Sequence, residues 1–185
     1  MTPILRWVAV LGLALRAASW AGAADLRPFV PGSAEEIRRA HAGRPYIVAL
    51  WSLGCPHCQE ELTMLGALRR GDPALPLVLI STDTPEDQAA LTATLRHHGL
   101  EATETWVFAD AFSERLRFEL DRRWQGELPR SYLVSGDGTV QSVSGRLERA
   151  TLERWLAAQR AGAAVRAKQP APATIGRIAA PGGGR

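Results

Sequence analysis

The sequence predicts an α/β domain with a central mixed β-sheet flanked by helices. Two observations lead to this fold class. In the first part of the chain, apolar runs that read as buried strands alternate with helical segments, an order typical of parallel strands joined by helices. Two short apolar segments then flank a Gly-Asp-Gly turn at 136–138, which predicts an antiparallel hairpin. A sheet with both kinds of pairing is mixed.

The first half of the domain contains two predicted helices and two predicted strands. A short helix begins at Ser33, which is spaced from Glu36 as in a capping box. The unbroken apolar run 46–51 predicts a strand that is buried on both faces. A helix over 59–70 follows, and the apolar run 77–80 predicts a second buried strand.

The second half adds three helices, one strand and the hairpin. A helix begins after Thr84, because Thr is a favoured N-cap and a proline and two acids follow it. That helix ends at Gly99. The remaining predicted elements are a strand at 105–108, a helix at 113–123, hairpin strands at 131–134 and 139–143, and a closing helix from 151.

Residues 1–24 have the features of a secretory signal peptide. A basic start precedes the apolar run 7–15, and Gly22 and Ala24 are small residues at the −3 and −1 positions. The apolar run is shorter than the roughly 20 residues of a membrane span. We therefore expect a periplasmic or secreted protein, with an uncleaved anchor facing the periplasm as the alternative.

The rest of the chain divides into a domain at 25–160 and an Ala-, Pro- and Gly-rich basic tail at 161–185, which we expect to be disordered. The whole chain has a net charge of +3, but all 19 acidic residues lie within 25–159. The domain is therefore mildly acidic, and its charge gives no reason to expect nucleic-acid binding.

The chain has two cysteines, Cys55 and Cys58, in a Cys-Pro-His-Cys motif between a predicted strand and a predicted helix. A structural disulfide that closes so short a loop constrains the unfolded chain very little. Zinc would need two further ligands, and no second Cys-x-x-Cys or His-x-x-x-His motif supplies them. The spacing therefore predicts thiol–disulfide exchange, with no metal and no dissociable cofactor.

The order of residues in the motif suggests a role for each. Cys55 should lie at the helix start, where free backbone N–H groups and the helix dipole favour a thiolate. Pro56 suits the first helical position, and His57 adds a dipole or a positive charge beside the sulfur. Cys58, one turn further, would be shielded. We expect Cys55 to be the nucleophile and Cys58 to resolve the mixed disulfide.

The segment 51–62 resembles the active site of thioredoxin-fold proteins, and the body from 26 to 160 resembles their exported TlpA/ResA-type branch. Trp51 stands four residues before the first cysteine, and Glu61 stands three after the second, as in that branch. The run Glu-Leu-Pro-Arg-Ser-Tyr-Leu-Val from Glu127 is similar to the family's proline loop and following strand. The resemblance implies a thioredoxin-like fold.

The resemblance also implies roles for four residues. Pro129 would be a cis proline that faces the disulfide, and the Leu128 backbone would pair with the substrate chain. Glu61 would transfer protons or tune the thiols, with a solvated helix residue as the alternative. Trp51 would contact the substrate, or simply pack in the core. The implied partners are protein thiol or disulfide substrates and an upstream redox partner.

Within this family the expected task is the reduction of disulfides in exported proteins, such as apocytochromes or copper-site assembly factors. The Pro-His dipeptide is that of DsbA-type oxidants, so oxidation of substrate thiols is the first alternative. However, only 71 residues separate Cys58 from Pro129, which leaves no room for the large helical insertion of DsbA. Two rival hypotheses from different functional classes are a Cu(I)-handling chaperone and an inert structural disulfide.

Overall fold

A six-stranded mixed β-sheet forms the centre of the computed structural model, which describes residues 25–168. The strands lie in the order β1-β4-β3-β2-β5-β6. The first four strands in this order are mutually parallel, while β5 and β6 are antiparallel to their neighbours. The strands are β1 Leu26–Phe29, β2 Tyr46–Trp51, β3 Leu77–Ser81, β4 Glu104–Phe108, β5 Arg130–Val134 and β6 Val140–Ser144. The predicted mixed sheet is confirmed.

Helices cover both faces of this sheet. Apolar side chains of α2, α3 and α5 pack on one face, and those of α1 and α4 pack on the other. A 3₁₀ turn, Pro85–Asp87, leads into α3. The helices are α1 Ser33–Ala40, α2 Pro56–Gly71, α3 Gln88–His98, α4 Ser113–Leu120 and α5 Arg149–Lys168.

The apolar run of β2 is explained by its place between two hydrophobic clusters. Its alternate residues Ile47, Ala49 and Trp51 belong to the cluster beneath α2, α3 and α5, called here the first cluster. Val48 and Leu50 belong to the second cluster, beneath α1 and α4. A central strand with helices on both faces must be apolar on both faces, so the unbroken hydrophobic run follows from the topology.

Strand β1 was not predicted. It is a four-residue edge strand that contains Pro28 and pairs only with β4. A proline lacks the N–H that a ladder needs, so it weakens the strand signal in sequence and is tolerated at an edge.

Helix α5 begins earlier than expected and continues to Lys168, past the predicted boundary at 160, because its Ala-rich sequence favours helix.

The predicted capping box at the start of α1 is wrong. The N-cap is Gly32, which has no side chain that could bind the free N–H groups of the helix. The Ser33 hydroxyl accepts a hydrogen bond from a preceding backbone N–H instead, and Glu36 pairs with Arg27 at 2.5 Å. The N–H groups at this helix end donate to the carboxylate of Glu119 in α4. A distant residue supplies the cap, which local spacing cannot reveal.

The predicted signal peptide, 1–24, lies outside the described residues, as does the part of the predicted tail from 169 to 185. Among the helices between Asp25 and Lys168, none combines the length and the apolar character that crossing a bilayer requires.

Candidate active site

The carboxyl end of β2 brings the two cysteines to the start of α2. Cys55 is the N-cap of this helix, Pro56 occupies its first turn, and Cys58 lies one turn in. The two sulfur atoms form a disulfide, with the Cα atoms 5.2 Å apart. The predicted position of the motif at a helix start is confirmed, although the helix begins at Pro56 and not at Gln59.

The two sulfurs differ in accessibility. Cys58 is fully buried in the first cluster, whereas Cys55 is partly exposed at its edge. The backbone N–H of Cys58 donates to the Cys55 sulfur at 3.2 Å. An N–H donor and the positive end of the helix dipole both favour negative charge on that sulfur. An incoming group can therefore reach Cys55 first.

A carboxylate that the sequence analysis missed anchors the loop before the cysteines. The Asp83 carboxylate accepts a hydrogen bond from the Leu53 N–H at 2.9 Å and one from the Ser81 hydroxyl at 2.7 Å. The Thr82 N–H also donates to the Trp51 carbonyl at 3.0 Å. Asp83 lies two residues after a buried strand, at the edge of the sheet where parallel strands end, and this position was the available signal in the sequence.

A cis peptide bond joins Leu128 to Pro129, as predicted. Strand β5 begins at the next residue, and its antiparallel register places Arg130 opposite Leu50. The Leu128–Pro129 pair therefore lies at the same end of the sheet as the disulfide. Leu128 and Cys55 both pack against the first cluster.

Glu61 is buried in α2, one turn beyond Cys58, with 3% of its surface exposed. Its carboxylate accepts hydrogen bonds from the Ser131 hydroxyl at 2.6 Å and from the Leu147 N–H at 2.8 Å. Burial raises the pKa of Glu61, and the two hydrogen bonds and the charge of Arg146 only partly oppose this effect. The solvated alternative for Glu61 is therefore wrong, since the side chain is enclosed.

Comparison with solved structures shows which fold this arrangement belongs to. A secreted disulfide oxidoreductase from Mycobacterium tuberculosis, homologous to E. coli DsbE, matches with a TM-score of 0.52 and 23% identity, over 65% of this chain and 85% of that one. The chain has a thioredoxin fold. Its predicted fold class is thus confirmed, including the flanking helices.

Two further structures with this fold are similar to the chain. DsbF from M. tuberculosis matches with a TM-score of 0.51 and 21% identity, over 65% of this chain and 84% of that one. A thiol:disulfide interchange protein of the thioredoxin family from Chlorobium tepidum matches with a TM-score of 0.51 and 17% identity, over 66% and 83%. No family model and no curated protein sequence matches the chain.

The other predicted site residues, His57, Leu128 and Trp51, differ in how far they are exposed. His57 is exposed, and its Nδ1 lies 3.8 Å from a carboxylate oxygen of Glu60. Leu128 is half-buried. Trp51 is 1% exposed within the first cluster, and its indole N–H has no partner among the described residues. This position favours the packing role that the sequence left open for Trp51; contact with substrate stays a prediction.

An arginine beside the cis proline is the second group that the sequence analysis missed. Arg130 is buried and lies 2.7 Å from the Asp121 carboxylate and 3.2 Å from that of Glu127. No local pattern marks an arginine in a strand as buried, because its partners come from the preceding loop.

Within residues 25–168, no group of three or more His, Cys, Asp or Glu side chains is arranged to hold a metal ion.

Proposed function

We propose that this protein is an exported thiol–disulfide oxidoreductase that exchanges its Cys55–Cys58 disulfide with protein substrates. The proposal rests on one observation. The partly exposed Cys55 sulfur, at the N-cap of α2, is bonded to the buried Cys58 sulfur, and the cis Leu128–Pro129 bond lies at the same end of the sheet. The thioredoxin fold supports it, since two structures with this fold are described as a disulfide oxidoreductase and a thiol:disulfide interchange protein.

In the reducing direction, the Cys55 thiolate attacks one sulfur of a substrate disulfide. A mixed disulfide forms, and the other substrate sulfur leaves as a thiolate. Cys58 then attacks the Cys55 sulfur and releases the second substrate thiolate. The substrate gains two electrons and the enzyme becomes the disulfide, so a reducing partner must restore the dithiol. No dissociable cofactor takes part in these steps.

Glu61 is suited to take the proton that the Cys58 thiol must lose before it attacks. It lies one turn beyond Cys58 on the same helix, both side chains are buried, and water is therefore not at hand to accept the proton. A raised pKa brings this carboxyl closer to a thiol in proton affinity than an exposed glutamate would be. Pro56 and His57 would tune the thiolate at the helix start.

The Leu128 backbone is suited to hold an extended substrate chain. Neither its N–H nor its carbonyl takes part in a hydrogen bond within the part of the chain that the structure describes. Such unpaired groups beside a strand can pair with an added peptide strand. A substrate cysteine held there would lie near Cys55.

The proposed direction is reduction of disulfides in exported proteins, such as apocytochromes or copper-site assembly factors, in the periplasm or outside the cell. Oxidation of substrate thiols is the second candidate, because the helix start, with His57 beside it, favours a thiolate and hence a more oxidising couple. Insulin reduction and the refolding of reduced ribonuclease, assayed side by side, distinguish the two directions.

The deciding experiment traps substrates on Cys55. In the native host, a Cys58→Ala variant should accumulate mixed disulfides that reducing agents dissolve, because the resolving thiol is missing. The matched control is Cys55→Ala/Cys58→Ala, which should trap nothing. If the single variant traps no protein while a Cys55→Ser variant still binds Cu(I) and supports the host, the copper-chaperone hypothesis replaces this proposal.

A further inference from the structure

Arg130, the residue after the cis proline, has a buried guanidinium that the exchange steps do not use. Its side chain is 10% exposed. Burying a charge is unfavourable unless the charge is paired and its hydrogen-bonding groups are satisfied. The partners of the guanidinium therefore show what this side chain holds in place.

The guanidinium binds both ends of the segment 121–127, which precedes the cis peptide bond. Its Nη2 donates to the Asp121 carboxylate at 2.7 Å, and its Nη1 donates to Oε1 of Glu127 at 3.2 Å. Nη1 also donates to the hydroxyl of Ser144 in β6. A single side chain thus connects the two ends of this segment to two strands of the sheet.

Tyr132 completes the surroundings of the guanidinium. Its hydroxyl accepts a hydrogen bond from Nε of Arg130 at 3.3 Å and donates to the Asp121 carboxylate at 3.4 Å. Burial raises the pKa of Tyr132 to about 12, so this hydroxyl keeps its proton. Burial would raise the pKa of Asp121, but the Arg123 N–H and the guanidinium outweigh it and the pKa is lowered. The Asp121–Arg130 pair is therefore charged at neutral pH.

The segment 121–127 has no helix or strand of its own to define its path. Inside it, the Trp124 indole N–H donates to the Glu127 carbonyl at 2.8 Å, and the Gln125 N–H donates to the Glu127 carboxylate at 3.0 Å. These bonds close the segment on itself. The guanidinium attaches it to the sheet at both ends, together with the hydroxyls of Tyr132 and Ser144, which donate to Asp121 and Glu127, and with the buried Trp124 ring in the second cluster.

The residue after Arg130 binds a carboxylate on the opposite face of the sheet. The Ser131 hydroxyl donates to Glu61 of α2. The Arg130 side chain lies on the other face, that of the second cluster, and binds Tyr132 and Asp121 there. Successive residues of a strand point to opposite faces. The strand that leaves the cis proline is thus held by a polar contact on each face.

We propose that Arg130 is a positioning residue for the substrate chain. By binding Asp121 and Glu127, it holds the segment that ends at Leu128, and so fixes the backbone with which a substrate strand pairs. The inference rests on the proposed function. Arg130 sets the affinity for a polypeptide thiol, and the reactivity of the Cys55–Cys58 disulfide does not depend on it.

The test compares two thiols that reduce the oxidised protein. One is an unstructured ten-residue peptide with a single cysteine, followed to saturation; the other is dithiothreitol, which has no peptide chain. The variant is Asp121→Asn/Arg130→Met, which leaves no buried unpaired charge at the pair. We expect its half-saturating peptide concentration to rise about tenfold, equal to about 1.4 kcal/mol. The maximal rate with peptide and the rate with dithiothreitol should stay within twofold of wild type.

Two further variants complete the design. Arg130→Lys keeps the charge but cannot bind both carboxylates in the same way, so its half-saturating concentration should be intermediate. Arg149→Met removes an exposed arginine that pairs with Glu153 and should leave both reactions unchanged.

Three results would overturn the inference, and they are distinguishable. An unchanged half-saturating concentration in the double variant removes the inference alone. An equal fall in both rates shows that Arg130 acts on the disulfide or on the fold as a whole. If wild type reacts with dithiothreitol but shows no saturable reaction with peptide, the proposed function fails, and the inference fails with it.

Discussion

Glu61 is a buried carboxylate that joins three distant parts of the chain. It lies in α2, accepts from Ser131 at the start of β5, and accepts from Leu147 just before α5. Burial favours its protonated form. The charged form of this carboxyl therefore lowers the stability of the folded protein.

We expect Glu61→Gln to be more stable than wild type at pH 7. A glutamine can still accept from the Leu147 N–H and can donate to the Ser131 oxygen, and no charge is buried. Because the folded-state pKa of Glu61 is raised above 4.5, wild type loses stability as pH rises from about 4.5 through that pKa, while the variant does not. Urea unfolding at several pH values measures the difference.

The gain of Glu61→Gln over wild type should be smallest below pH 4 and constant well above the folded-state pKa. A difference that does not change with pH would contradict the raised pKa. The same variant should slow the resolution of mixed disulfides, if Glu61 accepts the Cys58 proton.

We expect the Cys55 thiol to lose its proton at a lower pH than the thiol of an ordinary cysteine. In the reduced protein we expect the pKa of Cys55 to lie below the value of about 8.5 of a free cysteine, because the helix start stabilises the anion. Since His57 is 72% exposed, its charge is screened by water and salt, and His57→Ala should raise that pKa by less than the helix start lowers it. The pH dependence of iodoacetamide alkylation measures both values. A variant value near 8.5 would show that His57, and not the helix, holds the thiolate.

At the scale of elements, α2 and the end of α3 approach each other at Gly66. A methyl group added at Gly66 would stand 2.0 Å from the His98 carbonyl oxygen. The clash would be with the backbone of α3, so it could not be relieved by the rotation of a side chain. The absence of a Cβ at this position therefore fixes the distance between the two helices.

Gly66→Ala should destabilise the protein by about 1–3 kcal/mol, because it overpacks a backbone contact. Gly71→Ala is the matched control in the same helix, since a methyl group there meets nothing within 4 Å. The control should be neutral or slightly stabilising, because alanine favours helix more than glycine does. Equal losses in the two variants, measured by urea unfolding, would contradict the close approach.

Elements with a strong local signal could be predicted from the sequence, and contacts between distant segments could not. The apolar runs of β2 and β3, the hairpin and the cysteine motif each depend on neighbouring residues. The N-cap of α1 by Glu119, the anchoring of Leu53 by Asp83 and the burial of Arg130 depend on partners elsewhere in the chain. The cis proline was predicted only through family resemblance.

For the whole molecule, the redox state should change the pH dependence of stability. We expect the reduced protein to gain stability from a Cys55 thiolate, because the helix start should lower the folded-state pKa of this thiol. That gain is present above about pH 8.5 and is lost as pH falls through the folded-state pKa. The oxidised protein has no such group. We therefore expect the stability of the reduced form, relative to the oxidised form, to fall as the pH falls from about 8.5 through that lowered pKa.

Thermal unfolding of both wild-type forms across this pH range measures the effect, and the Cys55→Ser variant, which has neither the disulfide nor the Cys55 thiolate, is the control. Parallel curves for the two forms would show that no thiolate is stabilised at the start of α2. If Cys55→Ser shows the same pH dependence of stability as reduced wild type, the effect belongs to another group.

The exposed turn at 136–138 separates two parts of the chain that remain tied through the interior. The carboxylate of Glu61 binds Leu147 across it, β6 pairs with β5, and α5 contributes Leu152 to the first cluster. Proteolytic nicking at this turn should therefore leave two fragments that co-purify without a covalent link. Synthesised separately, the carboxyl-terminal fragment would then carry labels or altered side chains into the first cluster, which contains Cys58, without changing either cysteine.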